Sequence, residues 1–169
     1  EDVVDRTDII DRDAIILQAM ENGLIMDGVE IDVMKSMTVE SHGTTVGNPL
    51  SYINQDFSTW STAALADVTG GNAYGLAYAR VNNGQFQLVA NMGLLDLPAE
   101  NYFYEGWIVR RGKDVSVIST GRAVETTEGY INVFTSPEDL TDHAFYVLTL
   151  EPDDGDPSPA EHILEGIIK

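Results

Sequence analysis

AYGLAYARVNNGQFQLVANM, residues 73–92, is the part of the chain that most clearly indicates its fold class. Two runs of alternating apolar residues flank an Asn-Asn-Gly at 82–84, and an Asn-Gly pair supplies the positive φ angles of a tight hairpin turn. The stretch therefore predicts a β-hairpin with strands Ala73 to Val81 and Gln85 to Met92. In the second strand the side chains that share one face are Phe86, Leu88, Ala90 and Met92.

The same alternation recurs on the C-terminal side of this hairpin. Arg111-Gly112-Lys113 and Glu128-Gly129 supply two more hairpin turns. Residues 144–150 are apolar on both faces, which is typical of a central strand that is covered on both sides. Further strands are predicted at residues 102–110, 114–119, 121–126, 130–135, 144–150 and 163–168. This spacing favours a mainly β fold, an antiparallel β-sandwich of about seven strands in two sheets.

The first 37 residues have helical rather than alternating periodicity. Asp11 is placed to cap a first helix that ends at Gly23, and Asp27 with Glu30 has the spacing of a capping box for a second helix. The apolar positions of the two helices are Ile15, Ile16, Ala19 and Met20, then Val29, Val33, Met34 and Met37. The pattern predicts a helical hairpin, so that residues 1–37 form an N-terminal arm.

Between the arm and the β domain the periodicity disappears. Residues 38–64 are rich in Ser, Thr, Asn and Gly, and we expect an ordered connector anchored by Tyr52, Phe57 and Trp60. Residues 65–169 then form the β-sandwich domain.

Charge and composition exclude several function classes. The 169 residues carry 28 Asp plus Glu against 9 Lys plus Arg, a net charge of −19, so we expect neither nucleic-acid nor membrane-surface binding. The chain has no Cys, which excludes a disulfide framework and a thiolate metal site. No run of about 18 apolar residues is present, so we expect no membrane span.

Four short segments resemble one known family. They are Tyr104 to Val109 (YEGWIV), Leu148 to Pro152 (LTLEP), Pro157 to Pro159 (PSP) and Leu164 to Gly166 (LEG). Their order is similar to that in the C-terminal extracytoplasmic domain of the anti-sigma-K factor family, over residues 65–168. The resemblance implies a β-sandwich outside the cytoplasm. Regulatory members carry a sigma-binding domain and a membrane helix that this sequence lacks, so the resemblance does not imply sigma-factor inhibition.

The chain begins with Glu1 rather than Met, which fits either a mature protein whose targeting segment was removed or an arbitrary start within a longer sequence, and we favour the first. Together with the resemblance, this predicts a secreted or cell-surface location.

The acidic turn after residue 150 is a candidate calcium site. Its four carboxylates lie within six residues around a Gly, and Ca²⁺ binds six to eight oxygen ligands in irregular geometry. They belong to Glu151, Asp153, Asp154 and Asp156. A solvated acidic turn explains the same residues, and the spacing is not that of an EF-hand. We expect no cofactor unless this turn binds calcium.

The histidines give no catalytic or zinc signature. His42, His143 and His162 are far apart and do not have zinc-site spacing. Asp142 beside His143 suggests a hydrolase triad with Ser119 or Ser158, but no nucleophile-elbow motif accompanies them. We therefore expect that the protein is not an enzyme.

Aromatic residues around Trp107 have two interpretations. Alternation places Trp107 and Phe103 on one face and Tyr102 and Tyr104 on the other, where they form a ligand platform or part of the core. The area of these rings favours the core.

The arm indicates self-association, because its many aliphatic residues need a surface to bury them. That surface belongs either to the chain's own β domain or to a neighbouring subunit. In the second case, the basic turn at Arg110 to Lys113 could dock the acidic surface of the neighbour. The predicted self-association residues are Val3, Val4, Ile9, Ile10, Ile15, Ile16, Met20, Arg110, Arg111 and Lys113.

These observations predict a non-enzymatic structural or interaction module that forms a homo-oligomer or homopolymer. Two alternatives stay open. One is an extracytoplasmic domain that senses a ligand or calcium, related to anti-sigma factors. The other is acidity as an adaptation to high salt.

Overall fold

The computed structural model describes residues 12–169. Its helices are α1 (Arg12–Glu21) and α2 (Gly28–Ser36), and Pro49–Tyr52 forms a turn of 3₁₀-helix. Its strands are β1 (Thr44–Thr45), β2 (Ser61–Asp67), β3 (Tyr74–Asn82), β4 (Gln85–Gly93), β5 (Tyr102–Arg110), β6 (Ser116–Arg122), β7 (Val124–Thr126), β8 (Gly129–Ser136), β9 (Phe145–Pro152) and β10 (Glu161–Ile167).

The described strands form one sheet in the order β1-β8-β4-β3-β2-β10-β9-β5-β6, with β7 paired to β8. The two ends of this order approach each other: the Thr45 hydroxyl donates to the Thr120 carbonyl at 2.8 Å, and Glu40 forms a bridge with Ile118. The sheet is therefore nearly closed, like a barrel. A mainly β, antiparallel fold is confirmed. The two-sheet sandwich and the count of about seven strands are not, because the sheet has ten strands and curls on itself.

The β3–β4 hairpin has the predicted turn. Asn82 pairs with Gln85 around Asn83 and Gly84, whose φ angles are 52° and 75°. Sequence analysis did not predict β2, which starts at Ser61 inside the segment assigned to the connector. β2 is rich in alanine, a residue depleted in strands, although Ala63 and Leu65 alternate inward as the period requires.

The inside of the barrel is an apolar core with one polar cluster. Side chains from β2 to β6 and β8 to β10 fill it, including Leu88, Ile108, Phe134 and Leu148. Asn132 accepts hydrogen bonds from the hydroxyls of Thr120 at 2.6 Å and Tyr146 at 2.9 Å. Gly106 faces this cluster, where a Cβ atom would collide with the Asn132 side chain. The side-chain groups of Thr120, Asn132 and Tyr146 thus satisfy one another.

Two layers cover the outside of the barrel. The connector covers β3, β4 and β8, where Trp60 packs on Val89 and Phe57 stacks on Tyr78 with ring centroids 4.0 Å apart. This confirms the aromatic anchoring of the connector.

The second layer is α2 with the turn before it. Met26 and Met34 pack on Trp107, Phe145 and Val147. Trp107 is fully buried, so it belongs to the core and not to a ligand platform. The two apolar faces of β9 are both used, one by the barrel interior and one by α2.

Two of the predicted helix-end signals are present, whereas Asp11, the predicted cap of α1, lies outside the described residues. The Asp27 carboxylate accepts from the Glu30 amide at 2.9 Å, and Gly23 follows α1 with φ 71° while the Leu24 amide donates to the Ala19 carbonyl. The two predicted helices are confirmed over Arg12–Glu21 and Gly28–Ser36. None of the helices in residues 12–169 is long and apolar enough to cross a bilayer.

Candidate functional site: the N-terminal helices and the basic turn

Helix α1 exposes apolar side chains. Ile15 is 55% exposed and Leu17 56% exposed, while Ile16 and Met20 are half-buried. Three consecutive aliphatic residues are spread over about 200° of a helix surface, so a single packing face cannot cover all of them. Of the predicted self-association residues, Val3, Val4, Ile9 and Ile10 lie outside the described residues.

The basic turn holds the arm onto its own sheet. The Arg111 guanidinium donates to both Glu30 carboxylate oxygens, at 2.7 and 2.8 Å, and to the Gly23 carbonyl at 2.8 Å. It also lies 4.4 Å from the centre of the Phe145 ring. The hydrogen bonds to Glu30 raise the pKa of Arg111 and keep it charged. Arg111 is thus committed to contacts within the chain.

Arg110 and Lys113, the other basic residues of this turn, are more accessible than Arg111. Arg110 donates to the Asp142 carboxylate at 2.9 Å and to the Asp114 carbonyl at 2.8 Å. Lys113 is exposed. A negatively charged partner would therefore meet Lys113 before it met either arginine.

A buried carboxylate fixes the other side of the turn between the helices. Glu165 is 1% exposed; one oxygen accepts from the Met26 amide at 2.7 Å and the other contacts His162 Nδ1 at 2.8 Å. A buried carboxylate without such partners would be strongly destabilising. Sequence analysis missed Glu165, since its partners are far away in the chain and only a charged residue within an apolar strand hinted at it.

An apolar groove lies between α2 and the β5–β6 hairpin. It has a volume of about 330 Å³, and Val29 on its rim is 73% exposed. The apolar side chains along it are Met26, Val29, Val33, Met34, Val109 and Val115. An exposed branched residue beside an apolar groove is typical of a contact surface.

The acidic turn is held by local hydrogen bonds. Glu151 points inward, where it accepts from the Ala160 amide at 2.6 Å, and Asp153 contacts Arg122 at 3.2 Å. Asp154 accepts from the Asp156 amide, and Asp156 from the Ser158 amide. Within residues 12–169, no group of three or more Asp, Glu or His side chains is arranged to hold a metal ion. The calcium site stays a prediction.

Glu105 on β5 is a titratable group that sequence analysis missed. Burial, together with the nearby Glu151 carboxylate, raises its pKa to about 7, although Arg122 and Ser119 act in the opposite direction. The sign that could have revealed it is an acid in the middle of the aromatic run of β5.

The histidines lie in three separate networks. His143 joins Asp142 at Nδ1 and Ser116, rather than Ser119 or Ser158, at Nε2, each at 2.8 Å. His143 is buried and Arg110 holds the other oxygen of Asp142, so the network ties the β8–β9 loop to β6. His42 lies between Glu40 and Glu138, each at 2.6 Å, which raises its pKa. The prediction that the protein is not an enzyme stays a prediction.

Comparisons with known proteins found no match to this chain among family models, curated proteins or solved structures.

Proposed function

We propose that the protein is a non-enzymatic structural or interaction module that self-associates through its N-terminal segment. The observation that carries this proposal is the exposure of Ile15 and Leu17 on a helix whose C-terminal end is fastened to the sheet. Apolar side chains on a helix that is already held in place favour association, because a partner covers them without ordering them first.

A location outside the cytoplasm and a relation to the anti-sigma-K family belong to the same proposal. What supports the relation is the placement of the resembling segments. Tyr104 to Val109 lies in β5 and pairs with β9, which holds Leu148 to Pro152; Leu164 to Gly166 lies in β10, on the other side of β9. Three of the four segments are therefore neighbours in the sheet.

The proposal is tested by light scattering over a concentration series. The variant Ile15→Ser/Leu17→Ser removes the exposed aliphatic surface of α1. Burying the exposed half of such a side chain contributes about 1 kcal/mol, so the loss of two of them predicts association at least about thirtyfold weaker. The matched control is Leu50→Ser/Leu97→Ser, which removes two leucines of similar or greater exposure elsewhere on the surface. A wild-type chain that is monomeric at all concentrations contradicts the proposal.

A further inference from the structure

We infer that the groove between α2 and the β5–β6 hairpin accepts residues 3–10 from the N-terminal segment of a second copy of this chain. The inference rests on the self-association proposed above and identifies the surface that receives the segment.

The groove has the chemistry for an aliphatic segment. Its floor is formed by Met26, Met34 and Val109, and Val29 stands at its edge with 73% of its surface exposed. A volume of about 330 Å³ is at the lower end of the range for ligand sites, which suits a few aliphatic side chains and not a folded domain.

Residues 1–11 match this groove in both polarity and charge. Their sequence, EDVVDRTDIID, contains two aliphatic pairs, Val3-Val4 and Ile9-Ile10, among five acids and one Arg. Arg111 and Gly112 border the groove, so one side of it lies at the basic turn, where Lys113 is exposed. Arg110 and Arg111 are already paired with Asp142 and Glu30, so Lys113 is the basic side chain of this turn that can attract an acidic segment.

The course of α1 favours a second copy over the chain's own segment. Near its start, Ile15 and Ile16 lie beside the β2–β3 turn at 70–73. The strand register places that turn toward the first residues of β5, whereas the groove lies at the end of β5, where Val109 pairs with Phe145. A ten-residue helix is about 15 Å long. The chain's own segment would have to run back along the whole of α1, whereas an oppositely oriented copy brings its segment to the groove directly. Two copies then exchange segments around a two-fold axis.

Disulfide trapping tests this arrangement, since the chain has no Cys and each single variant therefore carries one thiol. Chains with Ile9→Cys or Val3→Cys are mixed with differently tagged chains that carry Val29→Cys, and mixed dimers are counted after mild oxidation. The control partner carries Leu97→Cys, because Leu97 is 74% exposed and matches Val29 in accessibility. We expect at least tenfold more mixed dimer with Val29→Cys than with Leu97→Cys.

Equal yields with the two partners would overturn the inference. A bond formed within single, diluted chains of the double variant Ile9→Cys/Val29→Cys would also overturn it, since the segment would then occupy its own groove. If light scattering still shows oligomers in either case, self-association stands and only the groove is wrongly assigned. A wild-type monomer at every concentration removes both the groove assignment and the proposed function.

Discussion

Replacing Arg111 with alanine should release the N-terminal helices from the sheet. The change removes an ion pair with Glu30 that is partly exposed, worth about 1 kcal/mol, and the hydrogen bond to the Gly23 carbonyl, worth about 1 kcal/mol. It also removes the contact with the Phe145 ring, worth about 0.5–1 kcal/mol. The expected loss in unfolding free energy is about 2–3 kcal/mol, which for a chain of this size lowers Tm by about 4–12 °C.

Arg110→Ala is the matched control, because Arg110 lies in the same turn and forms an exposed ion pair with Asp142. We expect it to cost no more than about 1 kcal/mol. Urea unfolding gives the free energies, and hydrogen exchange at the Met26 amide reports whether the loss is local to the arm. Arg111→Lys keeps the charge but lacks the planar guanidinium that donates to Glu30 and to Gly23 at the same time. Its stability should therefore lie between those of wild type and Arg111→Ala. Equal losses for the two alanine variants, with unchanged exchange at Met26, would refute the role given to Arg111.

Two further predictions concern the carboxylates. The pKa of Glu105 is raised to about 7 in the folded state. Between pH 4.5 and 7 the folded protein therefore binds more protons than the unfolded chain. The contribution of this group to stability falls as the pH rises through that interval. Solvent near the carboxylate weakens the effect. As the pH rises from 4.5 to 8, we therefore expect the unfolding free energy of Glu105→Gln to increase by about 1–2 kcal/mol relative to wild type, measured by urea unfolding. A difference between the two proteins that is independent of pH contradicts the raised pKa. For the acidic turn, we expect the same Tm in 1 mM CaCl₂ and in chelator, because the carboxylates from Glu151 to Asp156 are engaged in local contacts. A rise in Tm with calcium that is absent with magnesium, and that is lost in the Asp154→Asn variant, would instead establish a calcium site.

Local chemistry is what the sequence predicted well. The turn at Asn83-Gly84, the Asp27 cap and the Gly23 helix end each depend on a few adjacent residues, and each lies where the pattern placed it. The aromatic anchors of the connector were also predictable, since large rings in a polar stretch need a surface to cover them.

Long-range pairing is what the sequence could not provide. Alternation along a strand shows that it has two faces, but not whether the sheet closes, which depends on Thr45 of the connector reaching Thr120 75 positions later. In the same way, the sequence could not show which acid pairs with Arg111, because its partner, Glu30, is 81 positions away. β2 escaped prediction for a different reason, because its alanines carry little strand propensity and are buried by their neighbours in the sheet.

The role of the basic turn changes how the arm is understood. The sequence assigned Arg110, Arg111 and Lys113 to a neighbouring subunit, whereas the structure uses Arg111, with Glu165 on the other side, to fix the turn between α1 and α2. The exposed aliphatic residues of α1 therefore lie on a helix whose C-terminal end leads into a turn that is held by Arg111 on one side and Glu165 on the other. If the arm served only its own sheet, α1 would be expected to turn Ile15 and Leu17 inward, as α2 does with Met34, yet both remain more than half exposed. The exposure of these two side chains on an arm fastened beside Gly23 supports the proposal that a second molecule covers them.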